Sequence, residues 1–222
     1  MGNSQAYESA LKQTKRKDRI RKFWNVVLWL IIVVLVVALL VRLFVYSNIR
    51  IDGESMTSSY YGKSDMTYHD GEIVHVLKLA YPKRGDVVVF YEGEVDSKLQ
   101  TLFSDKNKKL IKRTVALAGD KLWIEQLPNG NTRLVIQTAD GDTLYENYYT
   151  KGSKLLDEEA FYLADNVKSE WRILQSCTEE QPFVVSKGHF FAMGDNRTNS
   201  RDSRTFGEVS LEQLYGVVWE KK

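Results

Sequence analysis

Nineteen consecutive residues without an ionisable group, FWNVVLWLIIVVLVVALLV at 23–41, constrain this chain more than any other feature. A helix needs ~17–25 apolar residues to cross a hydrocarbon core about 30 Å thick, so the run is long enough. A cleaved signal peptide, a buried core helix and a long parallel strand rich in Val and Ile are the competing readings. A signal peptide carries a shorter apolar region that closes on small residues, whereas this run closes on Leu40-Val41-Arg42-Leu43-Phe44. Length and flanks therefore predict a transmembrane helix over 23–46, with Trp24, Trp29 and Tyr46 as interface aromatics.

Charge gives the helix a direction. Residues 1–22 carry seven Lys or Arg against Glu8 and Asp18, while only Arg42 and Arg50 follow soon after the apolar run. The positive-inside bias predicts a cytoplasmic basic tail (1–22) and an extracytoplasmic domain (47–222) in the plasma membrane. The same tail is suited to anionic lipid, so the lipid bilayer is an expected partner. Residues 51–222 hold 22 basic and 27 acidic side chains, which removes the case for nucleic acid that the chain's pI of about 8.4 would suggest. A single cysteine, Cys177, excludes an intramolecular disulfide framework and a thiolate-rich zinc module.

The outer part reads as mainly β. EIVHVLKLAY (72–81), DVVVFYE (86–92), DKLWIEQL (120–127), TRLVIQTA (132–139), PFVVSKGHFFAM (182–193) and GVVWE (216–220) are short runs of Val, Ile and aromatics. They are punctuated by KRGD, AGD, PNGN and ADGD, the spacing of strands joined by tight turns. Asn129-Gly130 predicts a hairpin inside an inserted β-rich lobe, which the stretch of about 121–193 includes. LLDEEAFYLADN (155–166) reads as a helix, and the polar stretch 96–110 as a loop with a short helix.

Candidate chemistry does not start from histidine. His75 alternates within a strand-like run, His189 sits beside Phe190 and Phe191, and His69 falls in a turn. Neither H-E-x-x-H nor G-x-S-x-G occurs, and no metal or cofactor motif is present. Two other residues carry more. Ser55 closes an alternating strand-like segment, Ile49-Arg50-Ile51-Asp52-Gly53-Glu54-Ser55-Met56, and Lys112 lies in the apolar run LIKRTVALAGD (110–120). A serine in such a turn is ordinarily a turn residue, and a strand lysine ordinarily guards an edge. A buried lysine, however, loses its proton more easily and its neutral amine can take a proton from a hydroxyl. A third segment, Met193-Gly194-Asp195-Asn196-Arg197-Thr198-Asn199-Ser200-Arg201-Asp202-Ser203-Arg204, is dense in polar groups.

Taken together and in this order, SM (55–56) after a membrane helix, GDVVVF (85–90), KRTVALAGD (112–120) and GDNRTNSRDSR (194–204) resemble the bacterial type I signal peptidases, in their single-anchor, Gram-positive form. The resemblance covers about 49–218. It implies a β-sheet, barrel-like catalytic domain and a serine endopeptidase that removes signal peptides from exported preproteins through a Ser/Lys dyad, without cofactor or metal. By position Ser55 matches the nucleophile and Lys112 the base. Ser200 matches the residue that orients the lysine, Asp202 with Arg204 a supporting ion pair, and Asp195 with Arg113 a second buttress. Ile49, Ile51 and Ile111 match the lining of pockets for small residues of an extended signal peptide, although period-2 apolar residues are equally ordinary sheet core. The Ser55 N–H would be one oxyanion donor, and Gly53 offers no side-chain hydroxyl for a second.

Two departures from the family pattern stand out. The usual SMxPT is Ser55-Met56-Thr57-Ser58-Ser59, and the usual LPGD is Leu117-Ala118-Gly119-Asp120. Losing proline at 58 frees φ there and predicts a looser loop. A catalytically silent or dedicated-substrate relative in surface-protein or pilus assembly is the alternative, opposed by retention of both Ser55 and Lys112. A structural or sensory single-pass protein would leave GDNRTNSRDSR unexplained, and a soluble self-cleaving repressor conflicts with the membrane helix.

Overall fold

The computed structural model describes residues 2–63, 70–93, 95, 108–150, 154–160, 162–163 and 171–219. It divides into two units, one ending at Val45 and the other beginning at Tyr46. The first is one helix, α1 (Gly2–Phe44), which begins well before the apolar run and ends two residues earlier than the sequence suggests. The tail is helical because Ala, Glu, Gln, Lys and Arg propagate a helix once one is nucleated. At the other end Tyr46 is already a strand residue. The stretch Arg16–Phe44 is long and apolar enough to cross a membrane, and its large side chains, from Phe23 to Leu43, lie exposed.

The second unit is built on a seven-stranded antiparallel sheet. Its order is β1 (Tyr46–Arg50), β2 (Ile73–Leu77), β14 (Leu214–Val218), β3 (Val87–Tyr91), β4 (Lys109–Leu117), β12 (His189–Met193) and β13 (Val209–Ser210). β3 explains why DVVVFY is apolar without alternation: all five strand residues are buried because both faces are covered. Val87, Val89 and Tyr91 pack with Ile51, Met56 and Val76, while Val88 and Phe90 pack with Phe190, Val209 and Leu214. The Phe90 and Phe190 rings meet edge to face at 5.9 Å.

The inserted lobe carries a second sheet, ordered β10 (Tyr162–Leu163), β6 (Asn131–Gln137), β5 (Lys121–Gln126) and β11 (Phe183–Val184), with β7 (Thr143–Tyr145) also on β6. β8 (Asn147–Thr150) and β9 (Lys154–Glu159) form a separate hairpin. The turn at Asn129-Gly130 closes the β5–β6 hairpin with Gly130 at φ 83°, a left-handed conformation that glycine adopts freely. Chain entry into the lobe is fixed by Asp120, which accepts from the backbone of Leu117 and Ala139 and from Arg84 Nη2. The lobe is not an independent body: Leu122, Leu134, Ile136 and Trp171 share one core with Val115, Phe191 and Met193 of the large sheet.

One reading of the sequence needs revision. Residues 155–166 are not helical where described: Lys154–Glu159 pairs with β8 and Tyr162–Leu163 with β6. The helix-favouring Leu, Asp and Glu there are overridden by cross-strand pairing. The lobe strands end by Val184, and β12 at 189–193 belongs to the large sheet. The short helix expected in 96–110 and the turn at His69 lie outside the described residues, apart from 108–110, where β4 begins.

Gly216 tests the closeness of the β2–β14 pairing. A Cβ there would lie 2.5 Å from the Leu77 carbonyl oxygen and 2.7 Å from Val76 Cγ1. Gly216→Ala is expected to destabilise the domain by about 1–3 kcal/mol, read from denaturant unfolding; an unchanged midpoint would contradict this packing.

Candidate active site

Ser55 and Lys112 meet although 57 residues separate them. The chain leaves β1 at Arg50 and turns tightly through residues 53–59, with Thr57 N–H donating to the Glu54 carbonyl and Ser59 and Tyr60 N–H donating to that of Met56. Met56, fully buried, plugs this turn into the core. Lys112 reaches it from β4, and its Nζ donates to Ser55 Oγ at 2.6 Å and to its neighbour's carbonyl, Ile111 O, at 2.9 Å. Only 3% of Lys112 is exposed. Burial lowers its pKa to about 8, and Lys108 and Arg204 add to the fall, while Asp202 and Asp195 oppose it.

Behind this pair the polar loop after β12 makes two buried ion pairs. Arg113, the next residue on β4, donates Nε to Asp195 Oδ1 at 2.8 Å and Nη2 to Oδ2 at 2.5 Å, with Nη1 on the Gly85 carbonyl at 2.7 Å. This two-point contact fixes both the distance and the plane of the carboxylate. Asp202 caps α2 (Ser203–Phe206), accepts from Arg204 Nε at 2.8 Å and Nη2 at 2.9 Å, and takes the Gly194 N–H at 2.9 Å. Burial works against the Asp202 charge, yet Arg204 outweighs it and holds the carboxyl below its usual range.

Ser200 is placed differently from the expectation. Its Oγ is buried and has no hydrogen-bond partner among the described residues, so no bond to Lys112 is present; it lies near enough to Asp202 to favour that carboxylate. Gly194 explains the crowding there: a Cβ on it would fall 2.2 Å from Ser200 Oγ and 2.5 Å from the Ser55 carbonyl oxygen. The backbone of Gly194 thus packs directly on both segments.

The loop that lacks the proline is joined to Asp195 by two hydroxyls. Ser58 Oγ donates to the Asp195 carbonyl at 2.9 Å and Ser59 Oγ donates to Asp195 Oδ2. Two hydroxyls tie the turn where a proline would have stiffened it from within. Asn196 N–H donates to the Ser55 carbonyl at 3.0 Å, and its side chain reaches the Glu54 carbonyl at 3.1 Å. Sequence reasoning overlooked these serines, together with Arg197 and Glu146, which form a further buried ion pair. The string GDNR offered a signal for Arg197; Glu146 sits in a stretch with no readable period.

A groove of about 700 Å³ opens along this site, lined by residues 49–55 on one side and 108–112 on the other. Ile49 and Ile111 line it half-buried, and Ile51 is buried at its floor. Among the described residues β12 pairs with β4 only over 113–117, so there Lys109–Lys112 are in register with β3 alone. A sheet edge of this kind can accept one more extended strand. Gly53 leaves open space where a side chain would stand. Among the described residues no cluster of His, Cys, Asp and Glu is arranged to hold a metal.

The sequence matches the family described as signal peptidase, peptidase S26, over residues 23–220. It is 33% identical over 193 residues to signal peptidase I of Bacillus licheniformis, covering 84% of this chain and 82% of that one. It is 28% identical over 211 residues to signal peptidase I of Bacillus caldolyticus, covering 92% of each. A crystal structure of a signal peptidase I from Enterococcus faecalis V583 aligns with 63% of this chain and 98% of its own, at 21% identity and a TM-score of 0.35. The chain belongs to the signal peptidase family, peptidase S26, and so to the serine peptidases among the hydrolases.

The Arg113–Asp195 pair yields a stability prediction. Asp195→Ala leaves a guanidinium buried and unpaired, and is expected to cost about 3–5 kcal/mol in denaturant unfolding. A loss within experimental error would mean that this contact does not hold the loop.

Proposed function

We propose that this protein is a membrane-anchored endopeptidase that cleaves the signal peptides of exported preproteins, with Ser55 as nucleophile and Lys112 as general base. The observation that carries the reading is the 2.6 Å approach of Lys112 Nζ to Ser55 Oγ inside a site that lowers the lysine pKa to about 8. A serine hydroxyl is a weak nucleophile until a neighbouring base takes its proton, and a lysine can serve only when neutral.

The chemistry then runs in two halves. A signal peptide lies in the groove as an added strand, with small residues against Ile49, Ile51 and Ile111. Lys112 in its neutral form accepts the Ser55 proton as Oγ attacks the scissile carbonyl carbon. The oxyanion is met by the Ser55 N–H, a donor that the turn does not require, since its backbone bonds come from Thr57, Ser59 and Tyr60. The Lys112 ammonium gives the proton to the leaving amine, which releases the mature protein. Water then adds to the acyl-enzyme, Lys112 taking its proton and returning one to Ser55 as the signal peptide leaves. Asp195, Arg113, Asp202, Arg204 and Ser200 support this arrangement without touching substrate.

The apolar helix would anchor the enzyme, and the basic residues before it favour a cytoplasmic N-terminus with the catalytic domain outside. That placement puts the groove on the side where signal peptides emerge. The tied Ser58 and Ser59 argue for a competent loop over a silent one.

Cleavage of a purified preprotein with an Ala-x-Ala signal tests the reading. Wild-type protein in detergent is expected to cut after the second Ala, and Ser55→Ala and Lys112→Met are each expected to lose at least about a thousand-fold in kcat while remaining folded. Full activity in either variant would reject the dyad.

Acidity supplies an independent check. Only the neutral amine is a base, so its fraction, and kcat/KM with it, should fall about tenfold per unit as pH drops below about 8 and level off above it. A profile flat from pH 6 to 10 would exclude Lys112 as the base.

A further inference from the structure

We propose that Arg197, held by Glu146 of the inserted lobe, is a positioning residue that sets Gly194 against Ser55 and so fixes the Ser55–Lys112 pair; the inference rests on the dyad reading above. Arg197 leaves the polar loop and is buried among three groups. Its Nε donates to Glu146 Oε1, its Nη1 donates to the Gly194 carbonyl, and the same Nη1 lies 3.5 Å from Asp195 Oδ1. Glu146 is in turn fixed from the lobe: its Oε2 accepts from Tyr162 OH at 2.6 Å, its N–H donates to the Leu134 carbonyl, and its carbonyl accepts from Ala160. The Tyr162 ring packs edge-on to buried Trp171 at 4.8 Å.

Gly194 is the point through which this strut acts. Its carbonyl is held by Arg197, its N–H by Asp202, and its α-carbon packs on the Ser55 carbonyl and on Ser200. A shift of Gly194 therefore cannot be absorbed locally; it moves the serine turn or the Asp202 loop. A guanidinium suits the task because its planar fork presents donors in several fixed directions, which an ammonium does not. Both side chains of the Arg197–Glu146 pair are 3% exposed. Buried pairs of this kind often add little net stability, so the presence of one beside the site points to geometry more than to strength. The lobe thereby takes a part in the chemistry: its Glu146 and Tyr162 form the far end of a brace whose near end is the serine turn.

The test uses the full-length enzyme in detergent and the preprotein assay. Replacing both ends together, Glu146→Met with Arg197→Met, removes the charges as a pair and should leave the protein folded. The expected result is a kcat lower by about 10–100-fold with little change in KM, because misplacing reacting groups costs the chemical step more than binding. A single lesion of only structural consequence would instead lower the amount of active enzyme, so kcat is referred to sites titrated with an acylating inhibitor. Unchanged kcat in the double variant, with Ser55→Ala inactive in parallel, would overturn the strut and leave the dyad standing. Activity in Ser55→Ala would remove the dyad and the strut with it. Should the double variant not fold, Tyr162→Phe deletes one hydroxyl from the lobe end; a several-fold lower kcat at constant KM is expected, and wild-type kcat would overturn the inference.

Discussion

Desolvation of one amine is the constraint around which the second unit is organised. Lys112 is 3% exposed, and burial is the largest cause of its lowered pKa. Such burial is possible only because the amine is not isolated: Ser55 Oγ and the Ile111 carbonyl accept from it, while Asp202 and Asp195 stand near enough to temper the shift. Without the carboxylates the lysine would be too costly to bury, and with a carboxylate in direct contact it would stay protonated. The two arginines resolve this conflict. Arg113 and Arg204 each occupy a carboxylate at two points, so the negative charge reaches Lys112 attenuated.

The long apolar helix, the β-rich outer part and the hairpin at Asn129-Gly130 were legible because each rests on a local pattern. An apolar run of membrane length, strands of Val and Ile, and Asn-Gly at a hairpin need no tertiary knowledge. Ser55 and Lys112 were legible by resemblance alone; nothing in their spacing of 57 residues tells that they touch. The failures share one cause. Residues 155–166 carry a helical composition, and the strand pairing of 155–159 depends on β8, outside that segment. Ser58 and Ser59 looked like a loosened loop because a lost proline is visible in sequence, whereas the gain of two hydroxyl contacts to Asp195, about 136 residues away, is not. Glu146 was invisible for the same reason.

β4 shows how closely chemistry and support are joined. Lys112 and Arg113 are consecutive, so the pleat sends them to opposite faces. One face carries the amine to Ser55, the other carries the guanidinium to Asp195, and Asp195 in turn holds the serine turn through Ser58 and Ser59. The strand therefore reaches the same turn twice, once directly and once around its back. Register makes this arrangement strict: Val88 faces Lys112 and Val87 faces Arg113 in the pairing with β3. A slip of one residue would bring Arg113, whose guanidinium cannot lose its proton, beside Ser55 and put Thr114 opposite Asp195. The continuous apolar run of β3, buried on both sides, opposes that slip less by alternation than by its fixed turn at Gly85. There the Gly85 N–H donates to the Thr114 carbonyl and the Gly85 carbonyl accepts from Arg113. These two bonds add to the β3 and β12 pairing in holding the register that presents Lys112 to the serine.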